Sequence, residues 1–184
     1  MTAITKKAII AALKELTRTK SFDKISISDI TKACGLNRQT FYYHFQDKYE
    51  LLNWIYYNEC FVPIMDGISF ENWDLKMLSL LRLMKSEPYF YRNTIQSDEA
   101  NFHDYLLDIT SALFSEVIGE QNDDNHLDLE DKKFFSRFYA YGICGIITRW
   151  VLTGMKEAPE ELASHFKKLT YESEKTGNRK KYIS

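Results

Sequence analysis

The chain is poor in the two residues that most often interrupt helices. Only seven of its 184 residues are glycine and only three are proline. A protein made of many short strands needs a turn about every 8–12 residues, and glycine and proline mark most such turns. The scarcity of both therefore favours long helices over a sheet protein with many turns.

Cysteine is also scarce, and long apolar runs are missing. The three cysteines are odd in number and widely spaced, which predicts free thiols in a reducing cytoplasm rather than disulfide bridges. No stretch approaches the about 18 uninterrupted apolar residues that a membrane-spanning helix needs. Lys14 and Glu15 interrupt the first apolar run, so no signal-peptide core is predicted. We expect a cytoplasmic protein that has no membrane partner.

Motifs that would indicate catalysis are missing as well. The sequence has no glycine-rich phosphate loop, no nucleophile elbow and no evident pair of catalytic carboxylates. His103, His126 and His165 lack neighbouring ligands at metal spacing. His103 with Asp104 and Asp108 could hold an ion, but a solvated helix face is the favoured interpretation. We therefore expect a protein that is not an enzyme and that holds neither a cofactor nor a metal ion.

Positive charge is concentrated at the amino-terminal end of the chain. Residues 1–50 carry nine Lys and Arg against five Asp and Glu, a net charge of +4. The whole chain has a formal net charge of −2, so the remaining residues carry −6. A basic head on an acidic body suits phosphate binding at one end of the molecule only.

Within this basic head, residues 26–46 have the pattern of two short helices around a tight turn. Ser26 and Asp29 fit a capping box at the start of the first helix. Gly35 is the residue type that most often follows a helix end, and Asn37 is a good cap for a second helix that starts at residue 38. The sequence therefore predicts a helix–turn–helix, with a third helix starting near residue 48.

The second helix of this motif is predicted to have two different faces. Phe41 and Phe45 are four residues apart, so they share one face and should point inward. The opposite face is polar and aromatic, which suits entry into a DNA major groove rather than an ordinary solvated surface. The predicted DNA contacts, to bases or phosphates, are Ser26, Ser28, Arg38, Gln39, Thr40, Tyr42, Tyr43, His44 and Lys48.

This segment resembles the DNA-binding region of the TetR family of bacterial transcription regulators. The resemblance covers roughly the first third of the chain, and two positions depart from the usual pattern: the second helix opens with Asn-Arg, and Tyr49 stands where a small or charged residue is common. The residues that carry the resemblance are Ser26, Ile30, Ala33, Gly35, Leu36, Thr40, Phe41, Tyr42, Phe45, Lys48 and Leu51. It implies an all-α homodimer that binds a double-stranded DNA operator, nucleoid-associated when bound.

The rest of the chain also has helical periodicity. We predict a three-helix DNA-binding domain at 1–48 (helix–turn–helix about 27–46), a helical regulatory and dimerisation domain at 49–174 and a basic flexible tail at 175–184. The boundary at residue 48 falls inside a connecting helix that should run to about residue 65, so motion of the body can move the head. Pro88 is expected to stop a helix over 75–85, ahead of a short aromatic segment at 89–91.

Residues 138–152 form an apolar helix with one charged residue in fifteen. A helix that is apolar on all sides must be buried on all sides, and a second copy of the chain can cover one of them. The alternative is a central helix in a monomer core. The predicted dimer-interface residues, in a four-helix interface from about 131–171, are Phe138, Gly142, Gly145, Arg149, Leu152 and Phe166. The TetR resemblance implies the same arrangement.

Aromatic residues of the body could line a pocket for a small effector, or simply form the core. The candidates are Trp54, Tyr57, Trp73, Tyr89, Phe102 and Tyr105. The stretch RWVLTGMKEAPEELA at 149–163 resembles the corresponding part of a TetR subgroup of dihydroxyacetone kinase operon activators, the DhaS type. That resemblance implies activation together with a co-activator protein that senses the small molecule. A helical protein-interaction module without DNA binding remains a further alternative.

Overall fold

The computed structural model of the protein describes residues 2–69, 71–98, 102–104, 106–107, 110–111 and 128–179. These residues form helices and short connections, and no strand is found among them. The predicted all-α fold is confirmed. None of the helices in this described part is both long and apolar enough to cross a membrane.

The helices are named here in chain order: α1 (Thr2–Leu16), α2 (Ile27–Ala33), α3 (Arg38–His44), α4 (Lys48–Ile55), α5 (Val62–Met65), α6 (Trp73–Ser86), α7 (Pro88–Ser97), α8 (Leu129–Leu152) and α9 (Pro159–Arg179). A 3-10 turn at Phe22–Lys24 precedes α2, and a π-helical segment at Tyr56–Phe61 joins α4 to α5. Residues 102–104, 106–107 and 110–111 are also helical.

The head consists of α1, the 3-10 turn, α2 and α3. The α1 side chains Ile9, Ile10 and Leu13 are buried as their helical spacing predicts. They belong to the same cluster as Phe22 and Phe41, while α1 packs on α2 and α2 on α3. Apolar packing among α1, the 3-10 turn and α3 therefore fixes the position of α3 within the head.

The predicted connecting helix is present, but it is not a regular α-helix. It runs from α4 through the π-helical segment into α5, and Val62 N–H donates to Tyr57 O, five residues back. Pro63 offers no N–H, and its ring crowds the carbonyl four residues earlier. A wider turn directly before the proline relieves that crowding, which explains the π-helical register at this point.

Pro88 marks the boundary between two helices, because α6 ends just before it and α7 begins at it. It is the first residue of α7, where a missing N–H costs nothing because the first N–H groups of a helix have no partner within the helix. The aromatic segment at 89–91 is therefore helical, and Phe90 and Tyr91 are buried. The prediction that Pro88 stops the preceding helix is confirmed, since α6 ends at Ser86.

The body packs around α6, α7, α8 and α9. Helix α9 lies on α6, and α7 lies on α8. Arg82 Nε donates to Glu160 Oε1 at 2.8 Å, and Lys167 Nζ donates to Asp74 Oδ2 at 2.6 Å, both between α6 and α9. The buried apolar residues of head and body form one continuous cluster.

The carboxy-terminal helix is longer than predicted. The expected flexible tail starts at residue 175, but α9 continues to Arg179. Residues 172–176 contain glutamate and lysine, which are good helix formers, and no proline. Residues 180–184 of the predicted tail lie outside the described residues.

Candidate nucleic-acid interface

A complete capping box holds the start of α2. The Asp29 N–H donates to Ser26 Oγ at 3.2 Å, and the Ser26 N–H donates to Asp29 Oδ2 at 2.8 Å. Lys20 Nζ also donates to Asp29 Oδ2, at 2.6 Å. The hydrogen bond from Lys20, followed by those from Ser26, holds the pKa of the Asp29 carboxyl well below its usual range. The predicted cap is confirmed.

The turn between α2 and α3 depends on a left-handed glycine. Gly35 has φ +67°, and nothing lies within 4 Å of a Cβ built on it. The Leu36 N–H donates to Thr31 O at 2.8 Å, and the Gly35 N–H donates to Lys32 O at 3.3 Å. This pair of bonds is the Schellman arrangement, so backbone conformation rather than space requires glycine here.

Asn37 caps α3 with a single oxygen atom. Its Oδ1 accepts from the Thr40 N–H at 2.7 Å and from the Thr40 hydroxyl at 2.9 Å. Phe41 and Phe45 are buried as predicted, so the opposite side of α3 faces outward. The turn and the two aromatic residues together fix the face that α3 presents.

The outer face of α3 is polar, aromatic and exposed. Tyr43 is 77% exposed and Tyr42 is 55% exposed. Arg38 and Gln39 are exposed too, while Thr40 and His44 are half-buried. Seven helical residues span about 10 Å, which matches about three base pairs along a DNA groove. The α3 residues predicted to contact DNA therefore lie on one short helix whose outer side chains can reach base edges and phosphates.

Lys48, predicted to contact phosphate, is turned toward the protein. Its Nζ donates to three backbone carbonyls, those of Phe22 at 2.8 Å, Asp23 at 2.9 Å and Ile25 at 3.1 Å. An ammonium group has three donors, so all of them are used. Partial burial lowers its pKa. A phosphate contact from this side chain requires it to leave these carbonyls.

The two predicted serine contacts lie at the start of α2. Ser26 is exposed, but its hydroxyl also donates to Asp29 Oδ2 at 2.8 Å, so it serves first as a cap. Ser28 is half-buried in the first turn of α2. The two serines therefore differ in how readily they can reach the DNA backbone.

The described aromatic residues of the predicted effector pocket lie in different environments. Trp73 and Phe102 are buried in the core, and Trp54 is half-buried beneath Lys6 at 5.2 Å. Tyr57 and Tyr89 are 50% and 58% exposed. Tyr105 lies outside the described residues.

A polar cleft opens instead where head and body meet. It has a volume of about 450 Å³, and of the described aromatic candidates only Tyr89 lines it, beside Arg18.

Among the residues that the structure describes, no group of three His, Cys, Asp or Glu side chains is placed to hold a metal ion.

The predicted dimer residues fall into two groups. Phe138, Gly142, Gly145 and Arg149 lie on the exposed face of α8, whereas Leu152 is half-buried. Phe166 is only 2% exposed within the chain's own core, so it differs from the predicted interface role. Phe166 is buried because α9, on which it lies, packs against α6 of the same chain.

The exposed face of α8 forms an apolar stripe. Phe134, Phe138, Tyr141 and Gly145 follow one another at spacings of four, three and four residues, which places them on one side of the helix. The exposed fractions of the three aromatic residues are 59%, 65% and 55%. The helix is therefore buried on one side by its own chain and uncovered on the other.

Asn93, whose amide connects the body to the head, was not among the predicted site residues. Its position three residues after the buried Phe90 places it on the inner side of α7. A polar residue at an inward position is the signal that could have identified it.

Both parts of the chain match families of transcription regulators. Residues 9–55 match the family described as "Bacterial regulatory proteins, tetR family", and residues 71–172 match the one described as "Transcriptional regulator C-terminal region". The HTH-type dhaKLM operon transcriptional activator DhaS of Lactococcus lactis is 34% identical over 153 residues, which cover 82% of this chain and 81% of DhaS.

Solved structures share the architecture. A structure of "Dihydroxyacetone kinase operon activator DhaS" is similar with a TM-score of 0.80 and 32% identity, covering 95% of this chain and 98% of that one. NalD, the secondary repressor of the MexAB-OprM multidrug efflux pump in Pseudomonas aeruginosa, has a TM-score of 0.61 at 17% identity, covering 92% and 96%. The likeness to NalD concerns the fold alone.

Proposed function

The chain belongs to the TetR family of bacterial regulatory proteins and is a transcriptional regulator, and we propose that it acts as a homodimer whose two α3 helices bind a palindromic DNA operator. The observation that carries this proposal is the outer face of α3, where polar and aromatic side chains are exposed. The helix itself is capped by Asn37 and held on its inner side by the buried Phe41 and Phe45. A recognition helix in the major groove requires such a face.

Within this proposal the head residues divide into two roles. Gln39, Thr40 and Tyr43 contact bases, because they occupy the outer side of α3. The residues at the ends or flanks of α3 contact phosphates or bases; they are Arg38, Tyr42 and His44. At the start of α2, Ser26 and Ser28 approach the DNA backbone. The head is residues 1–48, and the body that follows regulates and dimerises.

The homodimer is proposed to form along the exposed stripe of α8. Aromatic side chains that are more than half exposed are costly in a single chain, and a second copy would remove them from water. Gly142 and Gly145 lie on the same exposed face, and a Cβ at either would meet nothing within 4 Å of its own chain. Small residues on that face allow a partner helix to approach closely.

Two routes are open for the signal that changes DNA binding. In the first, a small molecule binds the body directly. In the second, a co-activator protein senses the small molecule and the chain acts as an activator of a dihydroxyacetone kinase operon. The likeness to DhaS along most of the chain favours the second route, as does the burial of Trp73 and Phe102 among other core side chains.

Titration of dihydroxyacetone into the purified protein separates the two routes. A direct effector raises the melting temperature with increasing concentration, because it binds the folded state. The co-activator route predicts no such change in the melting temperature.

As a regulator of transcription, the protein is proposed to work in the cytoplasm, where the operator DNA is.

Selection from a pool of random DNA duplexes with the full-length protein tests the proposal as a whole. We expect the recovered sequences to form an inverted repeat whose half-sites lie about 10 base pairs or a multiple apart, as two-fold symmetric helix–turn–helix dimers require. Recovery of no common sequence by a folded dimer would contradict DNA recognition and favour a protein-interaction module.

A further inference from the structure

The side chain of Asn93, in the body, makes hydrogen bonds to the segment that leads from α1 to the 3-10 turn. The Oδ1 atom of Asn93 accepts from the Phe22 N–H at 2.7 Å. Its Nδ2 donates to Thr17 O and to Lys20 O, both at 2.9 Å. These partners lie 71 to 76 positions away in the sequence, so the contact depends on how the body is placed against the head.

The chemistry of this contact requires an amide. The carbonyls of Thr17 and Lys20 lie in the turn that follows α1, outside the helix and its hydrogen-bond pattern. An asparagine supplies two donors for them and one acceptor for the Phe22 N–H. An aspartate in its place would face two carbonyl oxygens without a donor, and an alanine would contact none of the three groups.

The same segment is also held by α4. Lys48 Nζ donates to Phe22 O, and the Phe22 ring is buried edge-on against Tyr49 at 5.4 Å. Phe22 is therefore bonded through its N–H to the body and through its carbonyl to α4. Ser26, the cap of α2, follows only four residues later, so the placement of this segment determines where the helix–turn–helix begins.

The ion pairs that Lys14 makes between head and body are less directional. Lys14 Nζ lies 2.6 Å from Glu59 Oε2 and 2.7 Å from Glu87 Oε2, and these side chains keep 18% to 33% of their surface exposed. A partly exposed ion pair tolerates changes in angle and is weakened by salt. Three hydrogen bonds from one planar amide fix both distance and orientation.

We propose that Asn93 is a positioning residue that sets the half-site spacing of the operator by fixing the head against the body. This inference rests on the proposed function. In a dimer, the angle of each head relative to its body determines the separation of the two α3 helices. One added base pair moves a half-site by about 3.4 Å and turns it by about 34° around the DNA axis. A dimer with rigidly placed heads loses affinity when the half-site spacing changes. A loosely held head can instead adjust to the new position of its half-site.

The test uses the full-length protein and the operator recovered from the random-duplex selection. Duplexes in which the half-sites are moved apart or together by one or two base pairs are titrated with each variant. For the wild-type protein we expect affinity to fall by about 100-fold or more once both heads can no longer bind together. Asn93→Ala and Asn93→Asp should flatten this profile to a loss of about tenfold or less.

Gln96→Ala is the matched control, because Gln96 lies one turn further along α7 and is exposed. It should reproduce the wild-type profile. A profile for a folded Asn93→Ala or Asn93→Asp dimer that is as steep as that of the wild type would overturn the inference. If the selection with the wild-type protein recovers no operator, the proposed function fails instead. The role of Asn93 in fixing the head is then decided by a second measurement.

That second measurement needs no DNA. A spin label is attached at Lys7→Cys, an exposed position of α1, in a Cys34→Ser background where the remaining thiols, Cys60 and Cys144, are buried. The inference predicts one narrow distance between the two heads of the wild-type dimer and a broad distribution with Asn93→Ala. Equal widths would overturn it.

Discussion

The Nζ atom of Lys48 lies 2.8 Å from the carbonyl oxygen of Phe22 and 4.7 Å from the centre of the Phe22 ring. The first residue of α4 thus holds the 3-10 turn that precedes α2. Two further carbonyls, of Asp23 and Ile25, share the same ammonium group. The ammonium group of Lys48 therefore joins the connecting helix to the head through three hydrogen bonds.

This arrangement predicts that Lys48→Met destabilises the protein in the absence of DNA. Removing the ammonium leaves the carbonyls of Phe22 and Ile25, whose hydrogen bonds are partly buried, and the exposed carbonyl of Asp23 without their donor. We expect this to lower the free energy of unfolding by about 1–3 kcal/mol. Urea unfolding followed by circular dichroism measures the change. Lys24→Met, at an exposed position of the same turn, is the control. An unchanged urea midpoint together with weakened DNA binding would instead assign Lys48 to phosphate contact alone.

Thr40→Ala combined with Tyr43→Ala should abolish selective DNA binding while leaving the fold intact. Both side chains lie on the outer side of α3, and loss of base contacts costs about 1–3 kcal/mol for each good contact. Fluorescence anisotropy on the selected operator measures affinity, and circular dichroism monitors helicity. Tyr57→Ala, which removes a half-exposed tyrosine from the body, should bind like the wild type. Full operator affinity in the double variant would refute the assignment of these two residues.

Gly145→Leu should convert the dimer into a folded monomer. Its own chain has space for the new side chain, since nothing lies within 4 Å of a Cβ there. Leucine is also the better helix former, by about 1 kcal/mol. Sedimentation velocity should therefore show a monomer whose helicity is retained.

The matched control for this substitution is Ser79→Leu, which adds the same side chain to the exposed face of α6. It should remain dimeric. If Gly145→Leu sediments as a dimer, the exposed stripe of α8 is not the contact surface.

Asp29→Asn should remove a pH-dependent part of the stability. The native pKa of Asp29 is lowered, mainly by the hydrogen bond from Lys20, so its contribution is fully present above the unfolded pKa of about 3.9 and is lost as pH falls below it. The variant should be less stable than the wild type at pH 7, and the difference should shrink on acidification below about pH 4. Urea midpoints across pH 3–7 measure this, and parallel curves for the two proteins would contradict it.

The parts of the site that could be predicted from sequence are those fixed by near neighbours. The Ser26–Asp29 box, the Asn37 cap and the inward pair Phe41 and Phe45 each depend on residues three or four positions apart. Such contacts follow from helix geometry alone. The turn at Gly35 belongs to the same class.

The features that were missed depend on distant parts of the chain or on an ambiguous signal. Asn93 bonds to groups 71 to 76 residues away, and Phe166 is buried because α9 meets α6. Proline both ends and begins helices, so Pro88 alone could not show that α7 starts there. The direction of the Lys48 side chain is set by the 3-10 turn, which periodicity does not predict.

An equilibrium titration tests most directly the proposal that this chain binds one DNA sequence selectively through its basic head. Full-length protein is titrated onto the selected operator and onto a scrambled duplex of equal length, at about 50 mM and about 200 mM salt. We expect tight binding to the operator alone, weakened by about 10³-fold or more at the higher salt because six or more phosphate contacts release counterions. Equal affinity for both duplexes at both salt concentrations, from a folded dimer, would contradict the proposal.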